Sequence, residues 1–131
     1  MQQRDIEIYI REPVLKKVLG WIKSVLGPIE ELPVDKSQRG VRMFRTLEHV
    51  PAIPIVIQTA IEDGPYVGIW FDSAHTPWSS DVECARAAWE AFGKPVQCDP
   101  GPEYENQDDF FRIDEQGEQV VRLKEGLLGS H

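Results

Sequence analysis

Cysteine is scarce in this sequence: Cys84 and Cys98 are the only two in 131 residues. Two are too few for a disulfide-stapled scaffold, and neither stands in a C-x-x-C pair nor beside an H-x-x-x-H spacing that would hold a metal. Long apolar runs are missing too. The longest, "AIPIVI", falls far short of the roughly 20 residues that span a bilayer. The opening "MQQRDIEIYI" lacks the basic flank and apolar stretch of a secretory signal. No G-x-x-x-x-G-K-[ST], G-x-G-x-x-G or H-E-x-x-H motif occurs, so no cofactor and no metal are expected. Residues 72–79 contain no glycine, which excludes a glycine-rich pyrophosphate loop there. The expectation is a soluble, cytoplasmic chain forming one domain over residues 1–131, its closing Gly129-Ser130-His131 resembling an appended tag.

Positive charge is the other shortage, and it is local. Residues 1–45 carry nine Lys/Arg against six Asp/Glu, whereas residues 46–131 carry five against sixteen, a balance of −11 within a net −8. Phosphate backbones would be repelled by most of the chain, so nucleic acid is not an expected partner, nor is a membrane. An acidic surface suits a basic protein, or simply keeps the chain in solution.

What is present is periodicity. "DIEIYI" alternates with Ile6, Ile8 and Ile10 on one face, the pattern of a half-buried strand. "EPVLKKVLGWIKSVLGP" places Val14, Leu15, Val18, Leu19, Trp21, Ile22, Val25 and Leu26 on one helical arc, opposite Lys16, Lys17 and Lys23. Pro13 suits the first turn and Gly27-Pro28 a stop. "RGVRMFRTL" reads as a strand with an arginine-bearing face. "IPIVIQTAI" and "YVGIWF" read as a hairpin turning at Asp63-Gly64. A helix follows over 80–92, then "KPVQC" as a short strand and "FFRIDEQGEQVVRL" as a hairpin turning near Gln116-Gly117. The fold class is α+β: a mostly antiparallel sheet in the order β-α-β-β-β-α-β-β-β, with two helices on one face. The exposed edge of the 110–123 hairpin offers a place for two copies to pair.

The stretch "WFDSAHTPWSSDVECARAAWEAF" concentrates polar chemistry between a strand and a helix. "SDVE" at 80–83 fits a capping box, Ser80 bonding the Glu83 N–H and Glu83 reaching back. Cys84 falls on the apolar arc of that helix, among four alanines that permit a close approach to a sheet. A strand doubling back on the helix brings Cys84 and Cys98 to one level, but two buried free thiols are the expectation in a reducing compartment. Asp72, Ser73 and His75 have no such structural occupation. They follow a buried strand and precede a helix N-terminus, where substrates and anions bind, which makes them the candidate catalytic residues. Three such residues within four positions do not make a triad, and no G-x-S-x-G elbow surrounds Ser73. An ordinary turn, whose Asp and Ser bond nearby backbone, is the preferred explanation of them.

From Asp99 to Glu118 the chain carries eight carboxylates and one arginine, interleaved with Tyr104, Phe110 and Phe111. Acids beside aromatics make a contact patch for a basic protein, with Glu103, Tyr104, Glu105, Asp108 and Asp109 as the partner-binding candidates, against the plainer reading of an acidic loop whose phenylalanines point into the core. The leading expectation is therefore a non-enzymatic domain acting through protein–protein interaction across an acidic surface, in its sharpest form an inhibitor or immunity-type protein against a basic enzyme. The alternative is an enzyme or small-ligand binder with a pocket at Asp72, Ser73 and His75 beside the second helix.

Overall fold

A computed structural model describes residues 5–59, 61, 64–101, 104 and 108–122. The elements run β1 (Ile6–Arg11), α1 (Leu15–Leu26), β2 (Ile29–Leu32), β3 (Val41–Thr46), β4 (Pro54–Gln58), β5 (Tyr66–Phe71), α2 (Asp81–Phe92), β6 (Val96–Cys98), β7 (Asp109–Asp114) and β8 (Gly117–Arg122). The strands form one antiparallel sheet of eight in the order β2-β3-β4-β5-β1-β6-β7-β8. The α+β expectation holds, with β1 at the centre of the sheet.

Register explains how one face became the core. Opposed residues in a ladder share a face. Ile6 lies opposite Phe71 and Ile8 opposite Ile69, while Ile55 and Ile57 lie opposite the same two residues across β5. On the other flank Val96 opposes Ile10 and Ile113, and Cys98 opposes Phe111. These residues form one buried cluster with Val18, Ile22 and Leu26 of α1 and Cys84, Ala85 and Ala88 of α2. Both helices therefore lie on the same face. The alanines bring the α2 backbone close to β1, β6 and β7, as the composition of that helix requires.

Aromatic rings tie the two helices together. Trp21 of α1 stacks on Trp78 with ring centres 5.5 Å apart and meets Phe92 of α2 edge-on. Trp78 in turn packs against Phe71 at the end of β5. Such pairs add roughly 0.5–1.5 kcal/mol each beyond area burial.

Three sequence expectations are corrected. β2 was not anticipated, because "IEEL" is short and its adjacent glutamates break the alternation. It pairs because β3 supplies the cations: Glu31 accepts from Arg42 Nε and Nη2 at 2.9 and 2.8 Å, and Glu30 bridges Arg45. Those two arginines also do not share a face, since 42 and 45 differ by an odd number. Arg42 lies on the helix side over the Phe44 ring, and Arg45 on the opposite side. In α1 the arc is narrower than its sequence suggests, for Val14 and Val25 stay exposed, and the helix begins beyond Pro13 with Val14 as its cap residue. The proposed Asp63-Gly64 turn falls partly outside the described residues.

Candidate functional site

Three chain segments meet at one end of the sheet, where β1 begins, β5 ends and β6 ends. β1 and β6 are paired through Tyr9–Gln97 and Ile10–Val96. Toward the start of β1 the partner strand stops at Cys98, leaving the Glu7 N–H without a ladder acceptor. Asp81, in the first turn of α2, takes that place: its Oδ1 accepts from the Glu7 N–H at 3.3 Å. The side chain thus caps a strand from a helix, and this duty holds it partly out of water.

The helix start that aims Asp81 is built as the sequence implies, with one change. Ser80 adopts extended geometry, and its Oγ accepts from the Glu83 N–H at 3.2 Å. Glu83 does not return to Ser80. Its carboxylate accepts instead from the N–H and hydroxyl of Ser79, at 3.1 and 2.6 Å, so the box closes one residue earlier. These bonds hold the Glu83 carboxyl below the usual range. At the far end Gly93 takes the left-handed conformation, with φ of 64°, that ends the helix.

Around Asp81 the field is acidic. Burial raises its carboxyl to about 7 against the Glu7 hydrogen bond, and the charges of Asp99, Asp5 and Glu7 add to the rise. By register Asp5 and Asp72 flank the β1–β5 ladder just beyond its last pair, Ile6–Phe71. One sheet end thus gathers Asp5, Glu7, Asp72, Asp81 and Asp99. Asp5 accepts from the Trp70 indole N–H, and Asp99 from the Gly101 N–H at 2.8 Å. Among the described residues none of Glu7, Asp72, Asp81 and Asp99 forms an ion pair. Two of the three arginines of the same half are already paired: Arg86 grips Glu118 with two nitrogens at 2.8 and 2.9 Å, and Arg122 meets Asp109 at 3.0 Å.

Behind Asp81 lie the two cysteines, both free and fully buried. Burial pushes both thiols up, and the Asp81 charge pushes further in the same direction. Protonated thiols are weak nucleophiles and weak metal ligands. No set of three His, Cys, Asp or Glu side chains among the described residues is arranged to hold a metal ion.

The loop 72–75 is ordered by hydrogen bonds from its backbone N–H groups. The Asp72 N–H donates to the Pro54 carbonyl at 3.0 Å, and the Ser73 Oγ accepts from the His75 N–H at 2.9 Å, an ST turn. The Asp72 and His75 side chains are exposed, and no hydrogen bond joins the side chains of Asp72, Ser73 and His75 among the described residues. Thr76 and Trp78 turn inward next to them. Of the partner-binding candidates, Tyr104 is 42 % exposed and Asp108 is exposed, while Asp109 is half-buried against Arg122. Glu103 and Glu105 lie outside the described residues.

Sequence reasoning passed over Asp81 and Glu7. Asp81 reads as the polar residue that follows a helix cap, and Glu7 as the solvent side of a strand. Only the pairing of β1 with β5 and β6 brings them to one place.

No helix among the described residues is long and apolar enough to cross a membrane. Comparisons of the chain with protein-family models, with curated proteins and with solved structures returned no match.

Proposed function

We propose that this chain is a binding domain whose acidic sheet end captures a basic protein, as an inhibitor or immunity-type protein would. The observation that carries this reading is the imbalance at that end. The charges of Asp99, Asp5 and Glu7 act on Asp81, none of Glu7, Asp81 and Asp99 forms an ion pair among the described residues, and Arg86 and Arg122 are engaged with Glu118 and Asp109. Like charges held together raise one another's free energy, and a lysine or arginine brought in by a partner relieves that cost. The field also speeds encounter with a cationic surface, in a salt-dependent way. Beyond Asp99 the sequence continues into the acidic stretch with Tyr104 and Asp108.

Affinity capture from a native lysate at low salt tests this reading. Recovered partners should be basic proteins that elute as salt rises, and their binding should weaken when Asp72 and Asp99 are both changed to lysine. Capture that is indifferent to salt and to these substitutions would refute it.

A further inference from the structure

The eight-stranded sheet ends in two edges, β2 and β8, and their sequences differ in what they do to a copy of themselves. An open edge strand is a template for another strand, and like charges directly opposed across a ladder oppose pairing. Two copies of β2 can pair antiparallel only in even steps, and the registers centred on Glu30 or on Glu31 set that glutamate directly against its own copy. That edge repels itself.

β8 does the opposite. The pair Asp114–Gly117 closes a two-residue turn, where the two residues can only exchange hydrogen bonds with each other. Bonding alternates along an antiparallel ladder, so Gly117, Gln119 and Val121 bond inward to β7. The N–H and C=O groups of Glu118, Val120 and Arg122 then face the open edge. A second β8 must be matched through these same residues, which restricts the register to even steps. The register with the fullest overlap puts Val120 on a two-fold axis and sets Glu118 directly opposite Arg122, twice. Opposite charges meet at both ends of the contact. All of Glu118, Val120 and Arg122 project on the helix side, by their pairing with Ile113, Phe111 and Asp109.

We propose that two copies of this chain pair edge to edge through β8, antiparallel and centred on Val120. The exposure of the strand fits this use: Gly117 to Val120 and Arg122 are exposed, Val120 by 39 %, and no described strand lies outside them. β8 has no proline and no lysine, and its two charged residues, Glu118 and Arg122, are of opposite sign. The internal ion pairs extend the contact. Arg86 holds Glu118 and Asp109 holds Arg122 within one chain, so pairing creates an alternating row, Arg86, Glu118, the partner subunit's Arg122 and the partner subunit's Asp109.

Sedimentation and amide exchange on the full chain test the proposal together. The chain is expected to shift from monomer to dimer as concentration rises toward about 0.5 mM, the range of a small interface. Over that range the amides of Glu118, Val120 and Arg122 should slow about tenfold or more, while Gln119 and Val121 stay protected throughout. Glu118→Arg alone, or Arg122→Glu alone, should give a monomer, and the double exchange should restore the dimer. Val120→Pro removes an outward N–H that its own hairpin does not use, and should also give a folded monomer. A chain that stays monomeric over this range overturns the proposal. So does a dimer that survives the single charge reversals, or one that leaves those three amides unprotected.

Discussion

The Asp81 carboxylate accepts the Glu7 N–H at 3.3 Å, and this bond joins the first turn of α2 to the central strand. A helix side chain here completes a sheet ladder that the neighbouring strand has left. The same arrangement places a partly buried carboxyl among other acids, so one residue carries both a structural duty and the electrostatics of the site.

A pH dependence follows directly. The Asp81 carboxyl is raised from 3.8 to about 7 in the folded chain. Between those values the folded chain holds a proton that the unfolded chain releases. Its contribution to stability is fully present below about 4 and is lost as pH rises through about 7. Asp81→Asn keeps an oxygen for the Glu7 N–H and removes the charge. At pH 8 it should stabilise the protein by roughly 2–4 kcal/mol, allowing for partial exposure, and at pH 4 by little. Urea denaturation at both pH values checks this; equal effects at the two would contradict it.

The helix cap makes a separate prediction. Ser80→Ala removes the acceptor of the Glu83 N–H and should cost about 1 kcal/mol. Ser80→Gly should cost only a few tenths, because glycine leaves the N–H open to water. Denaturant midpoints of the two variants separate a cap from a general intolerance at the position.

Thiol labelling tests the packing of α2 on β6. Cys84 and Cys98 are fully buried and held protonated, so both should react on the order of a hundredfold more slowly in the native chain than in denaturant. Rapid native labelling of Cys84 would mean that α2 does not pack as described.

Much of the fold was legible in the sequence because its elements carry strong periodic patterns. The alternation of Ile6, Ile8 and Ile10, the arc of Val18, Ile22 and Leu26, and the Ser80 cap each reappear in the structure. β2 escaped because its pairing depends on Arg42 and Arg45, which lie on a different strand. The site was less legible than the fold. Asp72, Ser73 and His75 attract notice by lying together in the chain, yet the structure uses Ser73 to hold the His75 N–H in a turn and joins no two of their side chains by a hydrogen bond among the described residues. Asp5, Glu7, Asp81 and Asp99 are dispersed over most of the sequence, and a long-range ladder assembles them. Asp109, conspicuous in the acidic segment, is balanced by Arg122 across the β7–β8 hairpin.

The most direct measurement of the central claim is the dissociation constant of a captured basic protein, compared between the native chain and two charge-reversed chains. Asp72→Lys with Asp99→Lys should weaken binding at least about tenfold, since two like charges then face the partner. Asp108→Lys with Asp109→Lys should weaken it less, because Asp109 is already neutralised by Arg122. Both losses should shrink as ionic strength rises. Affinities that stay equal for all three chains at low salt would contradict the claim that the acidic sheet end is the binding surface.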